Sequence, residues 1–285
     1  MKKLVITTVA DPMMGMLWET WPTMRKLETH YGEQLEFKFL SGQLVKNVYD
    51  LVDPNVRKQF GDQVALNQYW VRLMQIYLQE EQIGNMPIYM GGNERLFDEH
   101  HLSSVPLNQG LLTIAGDQQP RLDQVLYEMQ YDTVINNLQT NDIKYLTTLA
   151  QRFGMDAEQF TTRYNSATIK RELDNSEQAR RQLQIDQLPA YLLTYQGKTF
   201  VVKGLPKYGD WKKLIHQVTD GSIIEQMVKF DDAALDAFIN KHPHISQLEL
   251  QTAFDVNEQV ITDALATFDL EKQRVKGTIF YRKKG

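Results

Sequence analysis

No cysteine occurs among the 285 residues of the chain. That absence excludes structural disulfides, thiolate metal ligands and every reaction in which the protein's own thiol attacks. Long apolar runs are missing as well. No stretch approaches the roughly 18 uninterrupted residues that a membrane-spanning helix needs, and the short run Leu4 to Ala10 stops at Asp11-Pro12 without a small-residue cleavage site. The N-terminus therefore reads as a buried strand rather than a signal peptide, and a cytoplasmic protein without membrane contact is expected. Positive charge is not in excess, since 31 Lys and Arg against 36 Asp and Glu leave a net charge of −5. Nucleic acid is thus not an expected partner, because non-specific affinity for it comes from Lys and Arg neutralising phosphates. No Gly-x-Gly-x-x-Gly, phosphate loop, Gly-x-Ser-x-Gly or HExxH motif is present. That removes the common nucleotide, α/β-hydrolase and zincin readings, and no cofactor is implied.

What is present is an ordinary globular composition, 42% hydrophobic and 24% charged, enough for a sizeable core. Lys3 to Ala10 is β-branched and apolar, the pattern of a strand buried on both faces. Met14 to Tyr31 sets Leu17, Trp18, Trp21, Met24 and Leu27 at helical spacing and stops at His30-Tyr31-Gly32. Leu35 to Leu40 alternates apolar and charged residues, so the chain opens strand, helix, strand, the start of a parallel α/β unit. Amphipathic helices then take over, predicted over 63–81, 105–115, 120–138, 142–153, 156–164 and 166–183, while 84–92 matches no element. Strand character returns at Ala190 to Tyr195, Gln196-Gly197 marks a hairpin turn, and Thr199 to Val202 pairs back. Helices are predicted over 211–218 and 223–229.

The tail reads as helices over 231–241, 247–254 and 257–268 followed by a hairpin-like end at 275–281, which is the winged-helix order. The pattern predicts an α/β core from 1–53 and 184–229, an all-helical insertion at 54–183, and a small, semi-independent winged-helix-like module at 230–285.

The segment with most chemical meaning is Asp11-Pro12-Met13-Met14-Gly15-Met16-Leu17-Trp18, at the junction of the first strand and first helix. It resembles the Asp-Pro-x-Cys-x-x-Cys-Trp motif of the DsbA/FrnE-like branch of the thioredoxin superfamily, with Met14 and Leu17 at the two thiol positions. Leu188-Pro189-Ala190, ahead of the apolar run 191–193, resembles that family's cis-proline segment. Ser103 to Leu107, Leu146 to Gly154 and Phe160 resemble its helical insertion. The resemblance covers residues 1 to 225 and implies a thioredoxin-like fold of the dithiol-disulfide isomerase type. It also implies a groove formed by Asp11, Pro12, Met13, Trp18, Leu188, Pro189 and Ala190 around the degenerate positions Met14, Gly15, Met16 and Leu17. In an active member the first thiol sits at a helix N-terminus, whose free N–H groups and dipole favour the thiolate. Exchange then needs that sulfur and a second, resolving thiol. A thioether and an isobutyl group supply neither, so no catalytic residue is assigned.

The resemblance implies two functional readings. In one, the former redox groove holds a polypeptide or regulatory partner by strand addition at the Leu188 backbone, with flexible methionines accommodating varied apolar side chains. Family members that act as adaptors, presenting a transcription factor to an ATP-dependent protease, are its precedent. The other is a glutathione-assisted or thiol-independent reaction like that of kappa-type glutathione transferases and chromene-carboxylate isomerases. Those hold a thiolate with a serine, whereas no Ser or Thr lies between Val9 and Glu19. A plainer alternative makes the Met and Leu side chains mere filling for core space vacated by thiols.

Other constellations carry less. His100-His101 and His242-Pro243-His244 lack the spacing or companions of a metal set and read as loop histidines. Asp231-Asp232 and Glu80-Glu81 lie at helix ends, where capping or solvation is expected. Trp18, Trp21, Trp70 and Trp211 read as core. The helix predicted at 257–268 has no Lys or Arg, and Lys272, Arg274, Lys276, Arg282, Lys283 and Lys284 fall on the predicted wing. Domain packing or protein contact suits this tail better than DNA.

Overall fold

The computed structural model describes residues 2–92, 94–116 and 118–284. β1 (Leu4–Ala10) leads into α1 (Gly15–Trp18) and α2 (Trp21–Tyr31), then β2 (Leu35–Ser41) returns parallel to β1. The single helix predicted over 14–31 is thus broken. Pro22 has no N–H for the carbonyl of Trp18, and Thr20 Oγ1 takes the Leu17 carbonyl instead at 2.7 Å. After the insertion come β3 (Ala190–Tyr195), antiparallel to β1, and β4 (Lys198–Lys203), joined by a turn with positive φ at Gln196 and Gly197. The sheet order is β2-β1-β3-β4. Leu4 and Ile6 of β1 pack one face against Leu27 and Tyr31 of α2 and Trp211 and Ile215 of the helix over 208–218, while Val9, Ala190 and Leu192 meet Ile185 on the other.

The insertion is all helical: α3 (Pro54–Phe60), α4 (Asp62–Gly84), α5 (Val105–Ala115), α6 (Gln119–Val134), α7 (Ile143–Arg152), α8 (Ala157–Tyr164) and α9 (Ala167–Gln182). Side-chain caps start several of these where the sequence offers them, Asp142 on α7, Asp156 with Gln159 as a capping box on α8, and Ser166 on α9. Residues 85–90 form no helix or strand, yet Met86 and Ile88 are fully buried, so this loop is part of the core. No helix among the described residues is long and apolar enough to cross a membrane.

α10 (Tyr208–Val218) completes the α/β core. The helix predicted at 223–229 is absent. This stretch is an extended strap, held by the Gln34 side chain bonded to both the carbonyl and the amide of Ile224 (2.8 and 3.3 Å), and by the Gln226 amide donating to the His30 carbonyl at 2.6 Å. Beyond it lie α11 (Asp232–Lys241), β5 (His244–Ser246), α12 (Gln247–Phe254), α13 (Glu258–Ala264), β6 (Leu270–Val275) and β7 (Thr278–Lys283), the strands in order β5-β7-β6. The terminal hairpin therefore starts at 270 rather than 275.

This C-terminal unit has its own core around Leu235, Phe238, Leu250, Ile261 and Tyr281. It is also docked on the rest of the chain. α12 lies along α2, where Arg25 Nε donates to Glu249 Oε1 (3.3 Å) and Thr29 Oγ1 to the Ala253 carbonyl (2.6 Å). Tyr127 of α6 donates to Glu249 Oε2 at 2.7 Å, and Arg282 forms a two-pronged pair with Glu128 at 2.9 and 3.0 Å.

Candidate functional site

The Asp11–Trp18 segment and Leu188–Pro189 meet. Val9 pairs with Ala190 across β1 and β3, the Leu188–Pro189 bond is cis, and Pro189 and Ala190 are buried. Gly42 closes the corner. Its N–H donates to the Ala10 carbonyl at 2.7 Å, and a Cβ there would stand 2.7 Å from both the Ala10 carbonyl carbon and Leu188 Cδ1. Only glycine permits that approach.

Asp11 anchors the segment. It is fully buried, and its Oδ2 accepts from Ser104 Oγ (2.6 Å), the Leu44 amide (2.7 Å) and Asn108 Nδ2 (2.8 Å), while Oδ1 accepts from the Met13 amide (3.1 Å). Burial raises its pKa despite these bonds. Ser104, noted in the sequence only as part of the insertion, thus ties α5 to the head of α1.

The methionine-rich half of the corner is closed. Met13, Met14 and Leu17 are 3%, 7% and 4% exposed, and Pro12, Gly15 and Trp18 are buried; only Met16 is partly exposed. The cover comes from the insertion. Tyr77 donates to the Met13 carbonyl at 2.6 Å, Gln130 to the Met14 carbonyl at 3.3 Å, and Trp18 Nε1 to the Pro87 carbonyl at 3.1 Å. Phe280 of β7 stacks on Trp18 at 6.1 Å between ring centroids. The groove expected to be lined by Met13, Met14, Leu17 and Trp18 is therefore core, and their apolar side chains fill it.

Two carboxyls unforeseen in this role complete the closure. Glu80, expected at a solvated helix end, turns inward from α4, accepts the Met16 amide and lies so near Gly15 that a Cβ there would meet its Oε2 at 2.3 Å. Glu19 Oε2 accepts the amides of Gly84 (2.9 Å) and Met86 (3.0 Å). Burial pushes the Glu80 pKa up to about 7 and, helped by Glu81 and Glu80, that of Glu19 up to about 8. Among the described residues no Lys, Arg or His forms an ion pair with Asp11, Glu19 or Glu80, although Lys276 binds the adjacent Glu81 at 2.5 Å. A thiolate would find no cation in this corner.

The cis-proline half is less closed at one residue: Pro189 is buried and its carbonyl accepts the Gly204 amide at 3.0 Å, but Leu188 before it is only half-buried. Among the described residues neither the amide nor the carbonyl of Leu188 has a hydrogen-bond partner. The Leu188 side chain is only partly buried, and Leu44, two residues past Gly42, is 45% exposed. A free donor and acceptor beside the exposed Leu44 and the half-buried Leu188 are the elements that strand addition uses. A cleft of about 310 Å³ lies behind α2, reached from the corner by Leu17 and walled by Trp21, Met24, Phe37 and Phe39, with its polar end filled by Arg25, Asp123, Glu28 and His242.

The remaining candidates resolve into internal partners. His242 pairs with Glu28 (2.9 Å) and His244 with Glu128 (2.9 Å), both histidines being buried rather than in solvated loops. His101 is held between Asp98 (2.9 Å) and Asp142 (3.0 Å). Asp231 caps α11. Of the basic residues near the end, Lys276, Lys284 and Arg282 are ion-paired, Lys283 bonds Asn240 and Arg274 bonds the Gly277 carbonyl. Glu19 and Tyr77 left no local trace in the sequence, and Glu80 was noted only as half of a helix-end pair, because helical periodicity marks only that a side chain faces inward.

A family model described as thioredoxin matches residues 8–209. No sequence among curated proteins matches the chain. Solved structures with the same fold include a candidate protein disulfide isomerase from Nitrosomonas europaea, 15% identical at a TM-score of 0.62 and covering 78% of this chain and 100% of that one. Cytosolic disulfide reductase DsbM from Pseudomonas aeruginosa is 16% identical at a TM-score of 0.57, covering 76% and 98%.

Proposed function

The chain belongs to the thioredoxin family and carries no thiol, and from these two premises we propose that it is a redox-inactive, DsbA-like binding protein of adaptor type. In this reading it holds an extended stretch of a polypeptide partner at the Leu188 backbone, with Leu44 and Leu188 meeting the partner's apolar side chains. The free amide and carbonyl of Leu188 beside the closed thiol corner are the observation that carries it. The disulfide reduction named for the P. aeruginosa neighbour needs a thiol, and this chain's only sulfur is methionine thioether. The transferase or isomerase alternative gains nothing, since Met14 has no hydroxyl and Ser104 Oγ is committed to Asp11. The reading keeps the cytoplasmic setting expected from the sequence. It treats the C-terminal unit as a winged-helix-like module used for packing and protein contact rather than DNA, as α13 carries Glu258 and Asp263 but no Lys or Arg.

The test is hydrogen exchange on the full-length protein with a partner captured from its host. The Leu188 amide should exchange rapidly in the free protein and become protected in the complex. Leu44→Glu, at an exposed position, should weaken capture at least about tenfold without lowering the melting temperature. A complex that leaves the Leu188 amide unprotected sinks the reading.

A further inference from the structure

α4 is the longest helix among the described residues and is covered on one side only. Ala65, Leu66, Tyr69, Leu73, Tyr77 and Glu80 face the core. On the opposite side Val64, Val71 and Leu78 are 45%, 50% and 47% exposed. They recur every seven residues, and each is followed four positions later by an exposed glutamine, Gln68, Gln75 and Gln82. A strict seven-residue repeat drifts by only about 20° per heptad on a straight helix, so over three layers it remains one stripe. Between Asp62 and Glu80 the helix carries a single charge, Arg72. α9 shows what a solvated helix of this protein looks like: Lys170, Arg171, Glu172, Asp174, Glu177, Arg180 and Arg181 crowd its sequence. The outer face of α4 is built differently.

We propose that this face is a self-association surface on which two copies of the chain pair their α4 helices antiparallel about a two-fold axis through Val71. Three observations select a second copy as the occupant. A heptad stripe meets another helix of the same period residue for residue along the whole contact, so apolar faces apolar at every layer. The face is almost free of charge, so its best complement is equally uncharged, and a copy of itself meets that condition while a charged partner would lose solvation without gaining a mate. The stripe is also symmetric about its middle member: with Val71 on the axis, Val64 of one copy faces Leu78 of the other and the glutamine rows flank both sides, as an isologous interface requires. A bilayer is a poorer fit, because membrane-surface helices carry Lys and Arg along the polar flank, and here that flank is glutamine. The 23 residues of α4 give a contact about 34 Å long, a single helix pair at the small end of specific interfaces, so a reversible dimer with a Kd of roughly 10–100 µM is expected.

Sedimentation velocity on the full-length protein from about 1 to 200 µM reads this directly. The wild-type chain should shift from monomer to dimer across that range. Val71→Glu, which sets two carboxylates against each other on the axis, should leave it monomeric throughout with an unchanged melting temperature, since the position is half exposed. Val64→Lys combined with Leu78→Glu faces opposite charges across the antiparallel pair and should keep the dimer within about threefold, whereas either change alone weakens it at least about tenfold. A wild-type protein that stays monomeric at 200 µM overturns the proposal, and flotation of that monomer with lipid vesicles would assign the face to a bilayer. A dimer indifferent to Val71→Glu overturns it as well. A monomeric double variant beside a dimeric wild type overturns the antiparallel arrangement.

Discussion

Two groups of buried carboxyls hold this molecule together with opposite electrostatics. Around α1, Asp11, Glu19 and Glu80 sit without an ion-pair partner among the described residues, and burial raises the pKa of each. Along the seam between the C-terminal unit and the rest, Glu28, Glu128 and Glu249 meet Arg25, His242, His244 and Arg282. Burial opposes ionisation there too. His242, Arg25 and Lys241 nevertheless hold Glu28 below the usual carboxylate range, and His244 and Arg282 bring Glu128 down to about 2. The seam is a charged joint and the α1 corner a neutral clamp. A redox corner must favour a thiolate, and this one is surrounded by acids.

The largest effect should come from breaking the charged joint. Arg25 is buried among Asp123, Glu28 and Glu249, whose negative charge more than offsets the burial that works against its own, and Glu249 is fully buried. Arg25→Met keeps the stem but leaves Glu249 without its cation and thins the charge beside Glu28 and Asp123, at a cost of about 3–5 kcal/mol in urea unfolding at neutral pH. A loss under about 1 kcal/mol would mean that the seam is held by its apolar contacts alone.

Next in size is a reactivity difference between the two halves of the corner, measurable because the chain has no other thiol. Met14→Cys places sulfur where only carboxyls are near, and Leu44→Cys places it in the open. The buried thiol should react with an aromatic disulfide reagent about 100-fold more slowly at pH 8, its pKa lying above the ordinary value of about 8.5. Equal rates would show that α1 opens readily. Gly15→Ala tests the same clamp sterically. Its methyl would collide with Glu80 Oε2 and stand 2.8 Å from Tyr77 Cδ1, so a loss of about 1–3 kcal/mol is expected.

Much of this architecture was legible from local pattern. The β1, β2, β3 and β4 strands, the hairpin at Gln196-Gly197, the capped helices of the insertion and the approach of Asp11–Trp18 to Pro189 follow from alternation, caps and two short motifs. What escaped is tertiary. The break at Pro22 needed attention to a missing N–H rather than to apolar spacing. The strap at 223–229 reads as helical, but its backbone bonds go to Gln34 and His30, far away in sequence. Periodicity puts Glu80, three residues after Tyr77, on the inward face of α4 and Gln79 off it, but nothing local shows that the carboxyl ends on Gly15. That contact decides whether Met14 lines a groove or a core, and burial answered it where composition left both readings standing.

The smallest effect, and the one that separates the two regions most cleanly, is the direction of pH dependence. Glu80 and Glu19 ionise near 4.5 in the unfolded chain but only near 7 and 8 when folded. Between those values the folded state holds protons that the unfolded state has released, so their contribution is complete below about pH 4.5 and is lost as pH rises through 7 and 8. Glu28 and Glu128 behave in reverse: their folded pKa is depressed, and their contribution is complete above the unfolded value of 4.5 and lost as pH falls toward 2. The melting temperature should therefore decline on both sides of mildly acidic pH. Glu80→Gln should flatten only the alkaline limb and Glu128→Gln only the acid one. If one substitution flattened both limbs, the clamp and the joint would be a single coupled network rather than two, and the thiol corner could not have been neutralised independently of the unit docked behind it.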